Sequence, residues 1–212
     1  MGRLQGTVLE APPERPAGLE RALSAARSTD ERKEPIPAAE FRIERFRENA
    51  DVRRFNCNNR ELNDFLTTEE VARFQVEKLG TTYLVYWQAA GQLLGYFTIS
   101  SESLRIQYMH SVKSFSIPGE IRVDSIPGIK VGRLAVENEF KGREVGANIL
   151  RYIAGLALRT PAACRVLFLE AYPESVGFYL RFGFVTIEHQ RLRNRRNRFM
   201  VFDLKSHPEW KG

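Results

Sequence analysis

Apolar positions along this chain change their period several times, and each change marks an element. From Phe41, "FRIERF" alternates apolar and polar residues as a half-buried strand does. From Asn59 the period lengthens, with Leu62, Phe65 and Leu66 on one helical face. Thr67, with Glu70 three residues on, then gives a capping-box signal for a second helix that runs to Leu79 and ends at Gly80. "TTYLVYWQ" and "QLLGYFTIS", separated by "AAG", read as an antiparallel hairpin of β-branched and aromatic residues. Residues 101–128, with Pro118, Gly119, Pro127 and Gly128, read as a mixture of strand and loop. "IKVGRLAV" is a strand and "ENEFKGREVG" a turn. Val145, Ile149, Ile153 and Leu156 then mark one face of a helix that stops near Thr160, ahead of Pro161. "CRVLFLEA" is nearly continuous in apolar residues, as at the centre of a covered sheet. Pro173 opens a helix that Gly183 closes, and "FVTIEH" and "RFMVFDL" are two final strands. The order β, α, α, β, β, β, α, β, α, β, β contains no internal repeat and predicts an α/β (α+β) domain.

Composition adds a boundary. Residues 1–40 are rich in Pro, Ala, Glu and Arg ("APPERP", "EPIP") and poor in large apolar groups, so they bury too little surface to offset the entropy of ordering. They read as a low-complexity, flexible tail, with a short helix over Leu19–Arg27, ahead of a globular domain spanning 41–212. The two cysteines, Cys57 and Cys164, lie far apart without CxxC spacing, and the chain opens on no apolar signal region. The expected setting is therefore reducing and cytoplasmic. No run reaches the roughly 18 apolar residues that a membrane helix requires, so no membrane association is expected.

The net charge of +6 is unevenly placed. The tail holds six Lys/Arg and seven Asp/Glu, leaving +7 on the remainder, and Arg191, Arg193, Arg195, Arg196 and Arg198 supply +5 of that within "RLRNRRNR". This segment suits a solvated hairpin face and an anion-binding surface equally well. It contains no aromatic residue, so contact with phosphates is indicated rather than base stacking.

The strand, basic glycine turn and helix from Val131 to Arg159 can bind an anion through uncapped N–H groups and the helix dipole. Its turn, "KGREVG", lacks the Gly-Lys-Ser/Thr ending of a P-loop and the three spaced glycines of a dinucleotide fingerprint. Alone it is equally a tight turn that needs glycine. Together with the later "AYPESVGFYLRFGF", it resembles the GNAT superfamily of N-acetyltransferases. That family's pyrophosphate loop reads Gln/Arg-x-x-Gly-x-Gly/Ala, and a later helix carries Phe-Tyr-x-x-x-Gly-Phe, here Phe178, Tyr179, Gly183 and Phe184.

The resemblance implies a single domain over roughly Phe41 to Leu204. A mixed, mostly antiparallel sheet of six to seven strands would be flanked by helices, with splayed central strands holding acetyl-CoA. Leu134, Ala135 and Val136 would offer backbone groups to the pantetheine arm, and Lys141, Gly142, Arg143, Glu144, Val145, Gly146 and Ala147 would hold the pyrophosphate. Tyr172, Ser175 and Phe178 would complete the acetyl-CoA contacts. Tyr179 would protonate the departing sulfur, and a general base or a water chain would take the amine's proton; Glu170 and Glu102 are candidates for the base and read also as ordinary surface carboxylates. No metal is implied.

A narrower resemblance lies in "FNCNNRELNDFL", "GYFTIS" and "VGRLAV", which are similar to the branch of toxins that acetylate the amino group of aminoacyl-tRNA. Phe55, Cys57, Leu62, Asn63, Phe65 and Leu66 carry the first phrase, and Gly132 to Val136 the last. Cys57 reads as a small packed residue with no nucleophilic part. This branch implies an aminoacyl-tRNA acceptor and an antitoxin partner, and it is compatible with a homodimer. The long tail and the 101–128 segment exceed what such short toxins require. N-acetylation of a protein or small-molecule amine and a non-catalytic acyl-CoA-binding module therefore stand as the alternatives. Glu144 occupies the place of the loop's first glycine; its carboxylate is expected to point outward and to weaken acetyl-CoA binding without abolishing it.

Overall fold

In the computed structural model, which describes residues 33–192 and 195–206, the alternating segments become strands β1 (Phe41–Arg45), β2 (Thr81–Trp87), β3 (Gln92–Arg105), β4 (Ser125–Val136), β5 (Val166–Ala171), β6 (Val185–Thr186) and β7 (Arg198–Asp203). They form one sheet in the order β1-β2-β3-β4-β5-β7-β6. Neighbours run antiparallel except for the parallel pair β4–β5. The helices are α1 (Arg60–Thr67), α2 (Glu70–Val76), the single turn α3 (Ile106–Met109), α4 (Val145–Arg159) and α5 (Val176–Phe182). The predicted element order and the mixed sheet are both observed. Among the described residues no helix is long and apolar enough to cross a membrane.

Period-two alternation sends successive strand residues to opposite faces, and both faces of the sheet centre are covered. On one face Val85, Phe97, Leu167, Leu169, Met200 and Phe202 pack with Val145, Ile149 and Ile153 of α4. On the other, Leu84, Tyr96 and Ala135 pack with Phe65, Leu66 and Val71 of α1 and α2. Val166, Phe168 and Val201 join a further cluster with Leu104, Met109 and Ile126. This two-sided burial is why "VLFLEA" reads as a continuous apolar run.

Several boundaries differ from expectation. α2 ends at Val76 because Lys78 takes the left-handed conformation (φ 55°) that was expected of Gly80. Gly80 serves packing instead: a Cβ there would lie 2.7 Å from the Phe74 ring. The hydroxyl that accepts from the Glu70 N–H belongs to Thr68, while Thr67 back-bonds to the Asn63 carbonyl. The 101–128 segment is largely strand, since β3 and β4 remain paired as far as Arg105 and Ser125. Gly128 lies within β4, where a Cβ would approach the Val166 carbonyl oxygen to 2.6 Å; glycine there lets β5 come close. Of "FVTIEH" only Val185 and Thr186 pair. Leu156 is half-buried, and Ala157 is the buried residue on its turn. The expected helix over Leu19–Arg27 lies outside the described residues. Residues 33–40, assigned to the tail by composition, are described, and Ile36 is buried in the main core.

The end of the sheet remote from the helix α4 N-terminus is tied by one ion pair. Arg165 donates Nε to Asp203 Oδ1 (2.6 Å) and Nη2 to Oδ2 (2.9 Å), and it also reaches the Ser116 carbonyl and the Phe115 ring. The Lys205 amide and the Ser206 hydroxyl donate to the same carboxylate. Burial pushes the Asp203 carboxyl up, but these hydrogen bonds, led by Arg165, outweigh it and hold the group below its ordinary value. A depressed carboxyl contributes stability above its unfolded-state value, near pH 4, and that contribution is lost as the pH falls through the folded-state value. Asp203→Asn is expected to cost about 3 kcal/mol at pH 7 in urea unfolding, because it strands Arg165. Its stability should also fall less steeply with acid than that of the wild type; equally steep acid limbs would remove Asp203 as the cause.

Candidate active site

β4 and β5 pair over only Gly128–Val166, Ile129–Leu167 and Lys130–Phe168, after which the two strands part. A bulge contributes: Thr98 faces Arg133 and Ile99 faces Val131, so Gly132 has no partner across β3 and bends β4. Between the parted strands lies a cleft of about 440 Å³, lined by Leu134, Ala135 and Val136 from β4 and by Leu169, Glu170 and Ala171 from β5. The backbone of Leu134 to Val136, paired to β3 on one side, faces this gap on the other.

One wall comes from the phrase around α1. Asn59 caps the helix by accepting from the Leu62 N–H (3.1 Å). Asn63 Oδ1 accepts from the Cys57 N–H (2.9 Å) and thiol (3.1 Å), while its Nδ2 donates to Asn56 Oδ1. The phrase is thus a folded knot in which each asparagine satisfies backbone or side-chain groups that the turn would leave open. Phe65 stacks on Tyr96, whose hydroxyl donates to the Leu62 carbonyl (2.7 Å). Cys57 is buried as expected yet lines the cleft; burial pushes its thiol up, so it remains protonated. Lys141 Nζ donates to the Cys57 carbonyl (2.6 Å), fastening the start of the glycine loop to this wall.

The loop itself holds two left-handed residues, Gly142 (φ 82°) and Glu144 (φ 59°), the latter at the N-cap of α4. No side chain among the described residues caps this end, which leaves the amides of Val145, Gly146 and Ala147 uncommitted at the positive pole of a long helix. At Gly146 a Cβ would lie 3.2 Å from the Phe178 ring, so glycine lets α5 pack against this end. The Glu144 carboxylate is exposed, 3.9 Å from Arg151. Arg143 is directed elsewhere: its Nε donates to the Glu34 carbonyl (2.8 Å), and its guanidinium stacks over Trp87. Of the expected loop residues, Lys141 alone is among those lining the cleft.

Pro173 opens a short 3-10 turn that leads into α5, and Gly183 (φ 104°) caps it. Tyr179 is buried edge-on against Phe178 and Phe184. Its side chain lines the cleft, and its hydroxyl has no hydrogen-bond partner among the described residues. Burial pushes the phenol well above its ordinary value, so it holds its proton at neutral pH. Tyr172 and Ser175 also line the cleft. The Tyr172 hydroxyl donates to Glu61 Oε2 on α1 (2.7 Å), and burial with the Glu61 carboxylate pushes this phenol up to about 12. Glu170 accepts from Arg195 Nη1 (3.0 Å), so it is not a free carboxylate. Glu102 lies outside the cleft, paired with Lys130.

Two contributors were not anticipated. Arg133 packs its guanidinium 3.6 Å over Phe65 and bonds Glu70, yet among the described residues its buried Nε has no acceptor. Asn197 Oδ1 is likewise buried without a donor, and both residues line the cleft. An arginine beside glycine in an apolar strand was the available signal for the first. For Asn197 the surrounding arginines hid any signal. Arg191, Arg195, Arg196 and Arg198 are exposed on the connection that carries Asn197 into β7, and Arg193 lies outside the described residues.

The acetyltransferase (GNAT) domain family matches residues 53–197. No curated protein matches the chain. Among solved structures, AtaT complexed with acetyl-methionyl-tRNAfMet is 25% identical with a TM-score of 0.67; the match covers 80% of this chain and 98% of that one. The AtaT toxin bound to the C-terminus of the antitoxin AtaR and acetyl-CoA is 22% identical with a TM-score of 0.62, over 82% and 99% of the two chains. A KacT variant is 21% identical with a TM-score of 0.64, over 80% and 98%.

The knot around Cys57 can be tested directly. Asn63→Ala removes the acceptor for one amide and one thiol and is expected to cost about 1–3 kcal/mol in urea unfolding. It should also speed alkylation of Cys57, followed by peptide mass mapping so that Cys164 is counted separately. Unchanged labelling of Cys57 would mean that Asn63 does not hold this wall.

Proposed function

The chain belongs to the GNAT acetyltransferase family, and on that footing we propose that it moves the acetyl group of acetyl-CoA to the α-amino group of an aminoacyl-tRNA. The observation that carries the reading is the cleft between β4 and β5 with the protonated Tyr179 hydroxyl, unpartnered among the described residues, in its lining. Leu134 to Val136 extend the sheet's hydrogen bonding to the pantetheine arm. The amides of Gly142 and of Glu144 to Ala147, with Lys141 beside them, hold the pyrophosphate at the α4 N-terminus, while the Arg143 N–H donates to the Phe140 carbonyl.

Transfer forms a C–N bond between the amine and the thioester carbonyl carbon and breaks the C–S bond. Tyr179 gives its proton to the sulfur as that bond breaks, which spares the enzyme a free thiolate. The amine loses a proton to solvent, and solvent returns one to Tyr179. An α-amino group with a pKa of roughly 8 is already partly neutral at pH 7, so no strong base is needed. Glu170, held by Arg195, then shapes the acceptor side of the cleft rather than accepting that proton. Arg133 Nε and Asn197 Oδ1 offer the acceptor one donor and one acceptor group. The tRNA assignment is supported by the likeness to the AtaT complex, by the phrase that builds the α1 wall, and by the exposed arginines next to the cleft, which suit phosphates. An antitoxin partner and a cytoplasmic setting belong to the same reading, and the free thiols Cys57 and Cys164 fit the latter.

Tyr179→Phe is expected to lower kcat by about 10²-fold or more while leaving acetyl-CoA affinity within about twofold. The measurement is mass spectrometry of charged tRNA after incubation with labelled acetyl-CoA. An unchanged rate would remove Tyr179 from the chemistry, and acetylation of free amines with indifference to tRNA would overturn the acceptor. Glu144→Gly removes a charge worth roughly 0.6 kcal/mol at ~7 Å in water, a few times more near a protein surface. It also places glycine at a left-handed position, where other residues lose about 1 kcal/mol. Calorimetry is expected to show acetyl-CoA bound several-fold more tightly; weaker binding would mean that the carboxylate has a favourable part.

A further inference from the structure

We propose that residues 34–40 are a positioning element of the acetyl-CoA loop, fixing the Arg143–Glu144 peptide so that the loop keeps its shape without its usual glycine. The proposal rests on the reading of that loop as the pyrophosphate site. This strap precedes the family match, which begins at residue 53.

Ile36 does the binding with its backbone and its side chain together. Its N–H donates to the Arg143 carbonyl (3.1 Å), and its own carbonyl accepts from Asn148 Nδ2 (3.1 Å). An extended residue presents its N–H and C=O to the same side, and both bonds run towards the loop and α4. The side chain is 1% exposed within the core that contains Val145 and Ile149. Flanking prolines prepare this. Pro35 and Pro37 restrict their own φ and bias Glu34 and Ile36 towards extended backbone, so little entropy remains to be lost on docking. The strap is anchored further along by Glu40, whose carboxylate accepts from Trp87 Nε1 (2.6 Å) and whose carbonyl accepts from the Gln88 N–H (2.8 Å). The Glu34 carbonyl accepts from Arg143 Nε.

The consequence for the loop follows from peptide geometry. In a trans peptide the carbonyl oxygen and the next amide hydrogen point in opposite directions. With the Arg143 carbonyl turned to Ile36, the Glu144 N–H is turned away from the strap. Arg143 lies between two left-handed residues, and this peptide leads into the second, a glutamate that disfavours the conformation. From the other side, Asn148 joins the strap to Arg151, which lies 3.9 Å from the Glu144 carboxylate. The strap therefore grips the loop at both sides of its strained residue.

The test is a cycle in the full-length chain, crossing Ile36→Asp with Glu144→Gly and reading acetyl-CoA affinity by calorimetry and KM against kcat. Ile36→Asp is expected to weaken acetyl-CoA about tenfold when residue 144 is glutamate but only about twofold when it is glycine, which adopts the conformation unaided. In both backgrounds kcat at saturation should stay within about twofold, since Ile36 does not touch the reacting atoms. Hydrogen exchange without acetyl-CoA should show faster exchange at the amides of residues 142–147. Ile36→Ala keeps the backbone and removes only packing; it is expected to move in the same direction by a smaller factor, so the comparison survives if the aspartate variant does not fold. Equal losses in the two backgrounds, or no loss, would overturn the proposal alone. Wild-type protein that binds no acetyl-CoA would overturn it together with the functional reading.

Discussion

The parting of β4 from β5 is the constraint on which the rest of this structure depends. A parallel pair at the centre of a sheet normally stays hydrogen-bonded along its length, because buried backbone groups left unpaired are expensive. Here three residue pairs hold and the strands then separate. The separation needs devices on both strands. Gly128 lets β5 approach closely where the strands still pair, and the Gly132 bulge redirects β4 just beyond. The groups thereby released in Leu134 to Val136 must find water or a ligand; in the proposed reading the amide-bearing arm of acetyl-CoA meets them as a further strand would.

Everything around the gap can be read as support for that opening. α1 and its asparagine knot close one side, and α5 brings Tyr179 to the other. α4 sets an uncapped N-terminus at the approach. Burial keeps the Tyr179 phenol protonated, as its proposed part as proton donor requires, and burial likewise keeps the Cys57 thiol protonated. Glu170 shows the opposite influence, an ionic partner in Arg195 that keeps it from acting freely. In the proposed reaction the acceptor amine is already partly neutral at pH 7, so it needs no strong base.

Much of this was legible in the sequence, for reasons that are physical. The element order followed from changes in apolar period, and "VLFLEA" was recognisable as central because burial on both faces leaves no polar positions. The paired loop and helix signatures located the cleft because glycine is needed where α5 packs on Gly146 and where the chain turns at Gly142 and Gly183. Residues 101–128 were opaque because two of their glycine and proline signals, Pro127 and Gly128, lie inside a strand. Gly80 misled in the same way, serving close packing while Lys78 took the left-handed turn. Composition misplaced Ile36: "EPIP" reads as tail because a single apolar residue between prolines carries no period, yet one residue held by two backbone bonds and a core contact is enough to dock. Arg143 was assigned to the anion by its neighbours in sequence, and only the fold reveals that its side chain stacks on Trp87.

Glu144 condenses these points. Read as a charge, it opposes an anion by an energy of about 1 kcal/mol, small against the roughly 8 kcal/mol of a micromolar complex. Read as a backbone position, it sits at φ 59°, where its side chain is disfavoured by a similar amount. The two effects are comparable, so neither alone describes the departure from glycine. What distinguishes them is where the compensation lies. Among the described residues the charge is met by Arg151 at 3.9 Å on the surface, a pair of little worth. The conformation is met by the Ile36 hydrogen bond to the preceding carbonyl, backed by a buried side chain and two prolines. The structure has therefore answered the conformational problem more fully than the electrostatic one, and the loop's shape is the property this chain has been built to retain.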